Sequence, residues 1–549
     1  MVTAALGVAP SGGYGGGSWC FAGDEEIVVA TPDGALVVVG VDGAVRRTLT
    51  RDGRAFAPVV SARGDVACCI ERDDACDVAV VPLDGTRWPR RVSDAAWAWD
   101  PSWDADGAAL AWHEWDAGVM PWDASRIVVQ VDGGAPTVIA GGASVSVGQP
   151  RFAPIGRRLA YTSDESGFAN LWVHDLETGS AHPVLAERSE HAEPSWGPGQ
   201  RSFAWSPDGE QLAWCRNEKG FGRLVVGAPG RRSARDLSRG WHRGIDWGAG
   251  GIVAARSGAR TPTQIAVLAP DGSGRRVIAR GPVAGFVEDA LAEPRSVTWK
   301  SGTATVHGLL YPAVGVPVGE RPPLLVDVHG GPTGQATVSW NPEVAYWTSR
   351  GWAVLRPNPR GSTGYGRTYA QSLSGRWGER DVGDVAAGIR AAHRDGWADG
   401  GRVAISGGSS GGFVALLVAA RHPELVRAVV DASGVTDLFD LAETTHRFES
   451  RYLDRLVGEL PGHADRYRDR SPVTHARAIT APVLVLHGTA DEVVPIGQAD
   501  RLVEELRAVG TPVEYEQYDG AGHGLRAVAH VEDAMSRTDA FLTRWVLRR

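Results

Sequence analysis

The sequence predicts an all-β repeat domain followed by a doubly wound α/β domain. Three observations carry that expectation. A strand–turn–strand unit recurs through the first half, and apolar runs alternate with amphipathic helical stretches in the second. A glycine-rich turn holding two serines, ISGGSSGG (405–412), then interrupts one of the strand–helix pairs. A chain of 549 residues has room for roughly two to four domains.

The repeat is clearest in FAWSPDGEQLAWCR (203–216), PRFAPIGRRLAYTS (150–163) and PSWDADGAALAWHE (101–114). Each copy has an aromatic residue, a Pro/Asp/Gly turn and an alternating apolar strand. Fainter copies are APVVSARGDVACCIE (57–71), IDWGAGGIVAARS (245–257) and CFAGDEEIVVATPDG (20–34). Their spacing is near the roughly 40–50 residues of a propeller blade. A single such blade cannot bury both of its faces, so the units are expected to stack as a β-propeller over residues 1–290. Six units are evident. A seventh could be assembled from the chain start and residues 258–290.

From residue 291 to 549 the grammar changes. The strands PPLLVDVHGGP (322–332), GWAVLRPNPRGSTGYG (351–366), GRVAIS, VRAVVDASGV (426–435), APVLVLHGTADEVVP (481–495) and PVEYEQYDGAGHG (512–524) are buried runs ending in polar or glycine-rich loops. Helical spacing lies between them, as in DVGDVAAGIRAAHRDG (381–396) and IGQADRLVEELRAVG (496–510). That alternation predicts a mostly parallel sheet, whose chemistry sits in the loops at the carboxyl ends of the strands.

Those loops hold the parts of an acyl-transfer site. The strand, turn and helix around ISGGSSGG read as a nucleophile elbow of an α/β-hydrolase. The pattern G-x-S-x-G fits both Ser409 and Ser410. The residues two before and two after the nucleophile must be small, and the register on Ser409 supplies Gly407 and Gly411 with Gly412 beyond. The register on Ser410 brings Phe413 to the point where the helix must pass closely. A serine hydroxyl needs a base, and the base needs an orienting group. The elbow fold sets them in the order Ser, Asp, His. Asp491 in HGTADEVVP and His523 in GAGHG stand in that order. The loop HGGP (329–332) supplies a backbone donor at Gly331, and the N–H of Ser410 supplies the second, for the oxyanion. His329 reads as a brace for its own loop.

Composition narrows the alternatives. With 56 basic and 65 acidic residues the formal charge is −9, which does not suit nucleic acid. No P-loop, H-E-x-x-H or metal-like histidine set is present, so no cofactor or metal is expected. Five cysteines without CxxC spacing read as reduced core thiols. No apolar run spans a bilayer and no signal peptide is read at the start, so a cytoplasmic protein without a membrane partner is expected.

These motifs together resemble the prolyl oligopeptidase family of serine peptidases, and within it the acylaminoacyl-peptidase and dipeptidyl-peptidase-like branch. The resemblance runs from about residue 293 to the end through HGGP, RGSTGYGR (360–367), WGERDVGD (377–384), GGSSGG, SPVTHA (471–476), LVLHGTADEVVP and GAGHG. The first half agrees only in its WSPDG-like turns. The resemblance implies Ser409 as nucleophile, Asp491 and His523 as its partners, and Gly331 and Ser410 as oxyanion donors. Ser410 stands where the family often has tyrosine. The paired-glutamate motif of dipeptidyl peptidases has no convincing counterpart, Glu193 in SEHAEP (189–194) being a weak substitute. The resemblance also implies a propeller lying over the hydrolase face, which would restrict substrates to short peptides or small esters and amides. An esterase or cyclising transacylase would use the same triad, and a silent binding protein would leave it idle. The insertion 437–470 carries Phe439, His446, Phe448 and Tyr452 as candidate walls of a substrate pocket. Nothing in the sequence decides the oligomeric state, and a homo-oligomer stays open.

Overall fold

The computed structural model describes residues 17–281, 291–317 and 319–548. Its first half consists of four-stranded antiparallel sheets taken in chain order. They span 19–48, 54–91, 97–142, 147–183, 203–239 and 241–280, giving six blades among the described residues. The second and third touch through one parallel pair, Cys76 with Trp97. Each sequence repeat maps onto the first hairpin of a blade. In PSWDADGAALAWHE the Asp104 carboxylate accepts the N–H groups of Ala108 and Ala109 at 2.7 and 3.0 Å. The Ser61 and Ser206 hydroxyls do the same at the equivalent place in two other copies, accepting the N–H groups of Asp65 and Gln211, so a short polar side chain recurs there. Between the fourth and fifth blades, Leu171, Val173, Phe203, Trp205, Trp214 and Val225 form one buried cluster. Blade-on-blade burial of this kind is what the repeat requires.

The proposed seventh unit is not a separate blade in the described part. Thr261–Leu268 and Arg276–Arg280 are the two outer strands of the sixth. The chain start and the 290/291 boundary lie outside the described residues. The chain divides into two compact units near Arg280. All five cysteines are free, four of them buried, and burial pushes the thiols of Cys68 and Cys215 up to about 12.

The second half is one eight-stranded sheet. Its strands are β1 (Arg295–Ser301), β2 (Ala304–Tyr311), β3 (Leu324–Val328), β4 (Ala353–Asn358), β5 (Val403–Gly408), β6 (Ala428–Ala432), β7 (Val483–Gly488) and β8 (Val513–Tyr518). The order across the sheet is β1-β2-β4-β3-β5-β6-β7-β8. β1, β2 and β4 pair antiparallel, and from β4 through β8 every pair is parallel. The parallel strands β3, β5, β6 and β7 are buried along nearly their whole length, as strands covered on both faces must be. The antiparallel edge, β1 and β2, is not among the strands read from the sequence. Trp299 on β1 anchors it by donating its indole N–H to the Asp384 carbonyl at 2.8 Å on the helix Arg380–Arg394. A Cβ at Gly388 of that helix would stand 2.8 Å from the indole, so only glycine lets helix and strand meet. Among the described residues no helix is long and apolar enough to cross a membrane.

Candidate active site

Parallel strands deliver four loops to one edge of the sheet. HGGP follows β3, the two serines follow β5, the Asp491 loop follows β7 and the His523 loop follows β8.

The backbone at the end of β5 treats the two serines differently. Ser409 sits at φ 55°, ψ −123°, between strand and helix, and the helix starts at Ser410. A side-chain-bearing residue at positive φ costs on the order of 1–3 kcal/mol and persists only where its surroundings impose it. Here they do. A Cβ on Gly407 would fall 2.3 Å from the Gly411 carbonyl carbon, and one on Gly411 would fall 2.1 Å from the Val328 carbonyl oxygen. These are the positions two before and two after Ser409. Of the two glycines that would flank Ser410, Gly408 has Ala432 O as its nearest atom at 3.3 Å, whereas a Cβ on Gly412 would fall 2.1 Å from Asp431 Oδ1, a side-chain atom. Ser410 itself is buried, and its Oγ accepts the Trp377 indole N–H at 3.1 Å. Phe413, buried in the same helix, stacks on that indole with ring centroids 4.2 Å apart.

The HGGP loop lies against the elbow. A Cβ on Gly330 would come within 3.6 Å of the Ser409 Cβ. The His329 residue is half-buried, and desolvation of its ring lowers its basicity, which favours the neutral form. Its Nδ1 faces the Gly330 carbonyl at 2.7 Å, which can only accept, so the proton is on Nδ1. Nε2 then accepts from the Ser362 hydroxyl at 2.9 Å. His329 thus ties its loop to RGSTGYGR. Arg360 of that segment pairs with Asp384 of WGERDVGD through Nη2 at 2.7 Å and Nε at 2.9 Å. Three of the sequence motifs are therefore one hydrogen-bonded frame under the loop. Among the described residues the N–H groups of Gly331 and Ser410 donate to no protein acceptor.

Asp491 is fully buried. Its Oδ1 accepts the N–H groups of Val493 and Val494 at 3.0 and 2.9 Å, and its Oδ2 accepts from His523 Nδ1 at 2.8 Å. Burial alone would raise its pKa. The His523 hydrogen bond and charge, with the Val494 N–H, outweigh that and hold the carboxyl below its ordinary value. The carboxylate fixes the tautomer of His523, whose proton must be on Nδ1, leaving Nε2 as a lone-pair acceptor.

Gly331, Ser409, Ser410 and Tyr452 line one small cavity. Its walls are otherwise mostly apolar, from Trp377, Val435, Leu441, Leu453, Leu456, Val493 and Val494, with Pro332, Thr445 and Glu449 completing them. Tyr452 hydrogen-bonds Thr333 beside the HGGP loop. The other three aromatics expected there are not lining residues. Phe439 packs on Tyr467 at 5.4 Å between centroids, and His446 stacks on Phe448 at 6.3 Å. The leucines were missed because helical spacing alone does not separate a wall from a core. Glu193, in the first half, forms a bidentate ion pair with Arg243 at 2.6 and 2.8 Å.

Residues 337–548 match the prolyl oligopeptidase family model. Over 245 residues the chain is 29% identical to dipeptidyl peptidase family member 6 of Caenorhabditis elegans, covering 41% of this chain and 33% of that one. Over 231 residues it is 31% identical to the acylamino-acid-releasing enzyme of Mus musculus, covering 40% and 31%. The chain thus spans about a third of the length of these curated relatives. A puromycin-hydrolyzing peptidase of Mycobacterium tuberculosis superposes with a TM-score of 0.90 at 30% identity, covering 97% of this chain and 87% of that one. An acylaminoacyl peptidase at 19% identity and a TM-score of 0.63 shares the fold.

Proposed function

Because the chain belongs to the prolyl oligopeptidase family, we propose that it is a serine peptidase that cleaves short peptides through an acyl-enzyme. Ser409 Oγ attacks the scissile carbonyl while His523 Nε2 takes its proton. The N–H groups of Gly331 and Ser410 receive the oxyanion. Collapse of the tetrahedral intermediate expels the amine, which recovers the proton from His523. Water then repeats the sequence and releases the acid. Asp491 stabilises the imidazolium without itself becoming protonated. The observation that carries this reading is the Asp491–His523 hydrogen bond of 2.8 Å on the sheet edge that also presents Ser409 in a strained elbow.

The likeness to a puromycin-hydrolyzing peptidase extends over nearly the whole chain, whereas the dipeptidyl-peptidase and acylamino-acid-releasing relatives match less than half of it. That favours small aminoacyl amides, with puromycin as the first probe, over long peptides. The bidentate Arg243 partner of Glu193 argues against an amine anchor at that position. Five unpaired cysteines fit the reducing compartment expected from the sequence.

A fluorophosphonate probe should label the purified protein on Ser409, and Ser409→Ala should abolish both labelling and amide hydrolysis. Ser410→Ala should still label. It loses stability by about 1–3 kcal/mol, because the buried Trp377 N–H is left unpaired. An adduct on Ser410, or no adduct, overturns the assignment.

A further inference from the structure

His487, the next-to-last residue of β7, stands four positions before Asp491, and neither side chain has any solvent exposure. It takes no part in the proton transfers between Ser409 and the substrate. Its Nε2 lies 2.9 Å from the Val494 carbonyl, which can only accept, so the ring proton is on Nε2. Burial lowers the basicity of the ring and favours this neutral form. Nδ1 has no hydrogen-bond partner among the described residues, so Nε2–H makes the ring's one hydrogen bond there. Val494 is also bound from its other side, since its N–H donates to Asp491 Oδ1 at 2.9 Å. The three residues close a ring, for His487 Nε2 lies 3.6 Å from Asp491 Oδ2. That distance is too long for a hydrogen bond. It still sets the positive end of the N–H dipole beside the oxygen that His523 Nδ1 bonds at 2.8 Å.

We infer, on the hydrolase reading above, that His487 is a positioning residue for the Asp491–His523 pair, its Nε2–H pinning Val494 and so the direction in which the Asp491 carboxylate points. The N–H groups of Val493 and Val494 hold Oδ1, but they sit on a loop and can hold the carboxylate only as still as the loop itself. The hydrogen bond from His487 ties that loop to β7, a strand buried along its length. Oδ2 is then kept in line with His523. Without the tie the loop swings, and a misalignment of about 1 Å at a catalytic group costs on the order of 100-fold in rate.

The test measures kcat and KM of the full chain on leucine p-nitroanilide, with the rate of fluorophosphonate labelling in parallel and a urea midpoint for each variant. In His487→Gln the side-chain amide reaches the place of Nε2, whereas in His487→Asn it ends one bond short. His487→Gln should keep kcat within about 3-fold of wild type, while His487→Asn and His487→Leu should lose about 10- to 100-fold with KM little changed. Added to Asp491→Asn, His487→Asn should slow labelling by no more than about 3-fold, because the pair it aligns is already broken. Equal kcat for the Gln and Asn variants overturns the inference. So does a loss that falls on KM, which would make His487 a prop for the cavity wall at Val493 and Val494. The same fold-loss with and without Asp491→Asn overturns it as well. Where His487→Leu does not fold, the Gln and Asn variants, both polar and smaller than histidine, decide. Failure of Ser409 to label in the wild type would instead sink the hydrolase reading and carry this inference down with it.

Discussion

The elbow at 405–412 and the insertion at 437–470 both face the same cavity, yet they are specified in opposite ways. The elbow is fixed by its backbone. Gly407 and Gly411 are required because any Cβ there would collide with main-chain atoms that have nowhere to go. The insertion is fixed by side-chain packing, in which Phe439 meets Tyr467, Tyr452 meets Thr333, and the leucines turn toward the cavity. A backbone constraint leaves a residue type that can be read letter by letter. A packing constraint leaves only an apolar preference that several arrangements satisfy.

The sharpest test of the backbone-fixed half is chemical. Asp491→Asn should keep the fold, since Val493 and Val494 can still donate to the amide oxygen. It should lower kcat by about 10⁴, because the amide no longer favours the His523 tautomer with its proton on Nδ1. Steady-state hydrolysis of a p-nitroanilide gives the number. A variant within a few-fold of wild type would transfer the orienting role to a different carboxylate, with Glu492 the first to examine.

The next test concerns the glycines themselves. Gly411→Ala should cost about 3 kcal/mol or more, because its Cβ would lie 2.1 Å from Val328 O, a main-chain atom of β3. Gly408→Ala, 3.3 Å from Ala432 O, needs a shift of only a few tenths of an ångström and should cost about 1 kcal/mol or less. Urea midpoints of the two variants measure the contrast. Equal losses would mean that the elbow is not held by its neighbours and that Ser409's backbone strain has another cause.

The same distinction explains what the sequence disclosed. Six repeat units, the parallel strands and the four loops at their carboxyl ends are legible, because each depends on glycine placement, turn chemistry or a run of apolar residues. The antiparallel edge β1–β2 is not. Its alternating, half-exposed residues in RSVTWKS and ATVHGLLY follow an undescribed segment, and their partner is a helix some 80 residues on, through Trp299 and Asp384. The sixth blade shows the converse limit. Residues 261–280 carry strand character without saying which sheet they complete, and pairing alone assigns them to the sixth. Of the four ring-bearing residues that helical spacing in the insertion suggests for the pocket, only Tyr452 lines it, because that spacing reports a face and not what the face meets.

The smallest expected effect lies where the two kinds of constraint touch. Asp431, at the end of β6, is wholly buried beneath the elbow, and a Cβ on Gly412 or Gly434 would strike its Oδ1. Neither of its carboxyl oxygens makes a well-aligned hydrogen bond among the described residues, and burial, only partly offset by the nearby Gly434 N–H, pushes its pKa up to about 7. Folding therefore favours the protonated form. In the unfolded chain the group titrates near the ordinary carboxylate value of about 3.9, so its contribution is fully present below that pH. It is lost as pH rises toward about 7 and stays lost above. Asp431→Asn keeps the shape and removes the titration. Relative to wild type, the variant should gain stability progressively between about pH 4 and pH 7, and the difference should level off above that range. Urea midpoints at pH 5, 6, 7 and 8 follow that difference, in which the titration of every other group cancels. A difference that does not change with pH would mean that Asp431 is already ionised in the folded state, held by a donor within reach of the elbow. The packing beneath Ser409 would then be polar, and the elbow's rigidity would rest on its glycines alone.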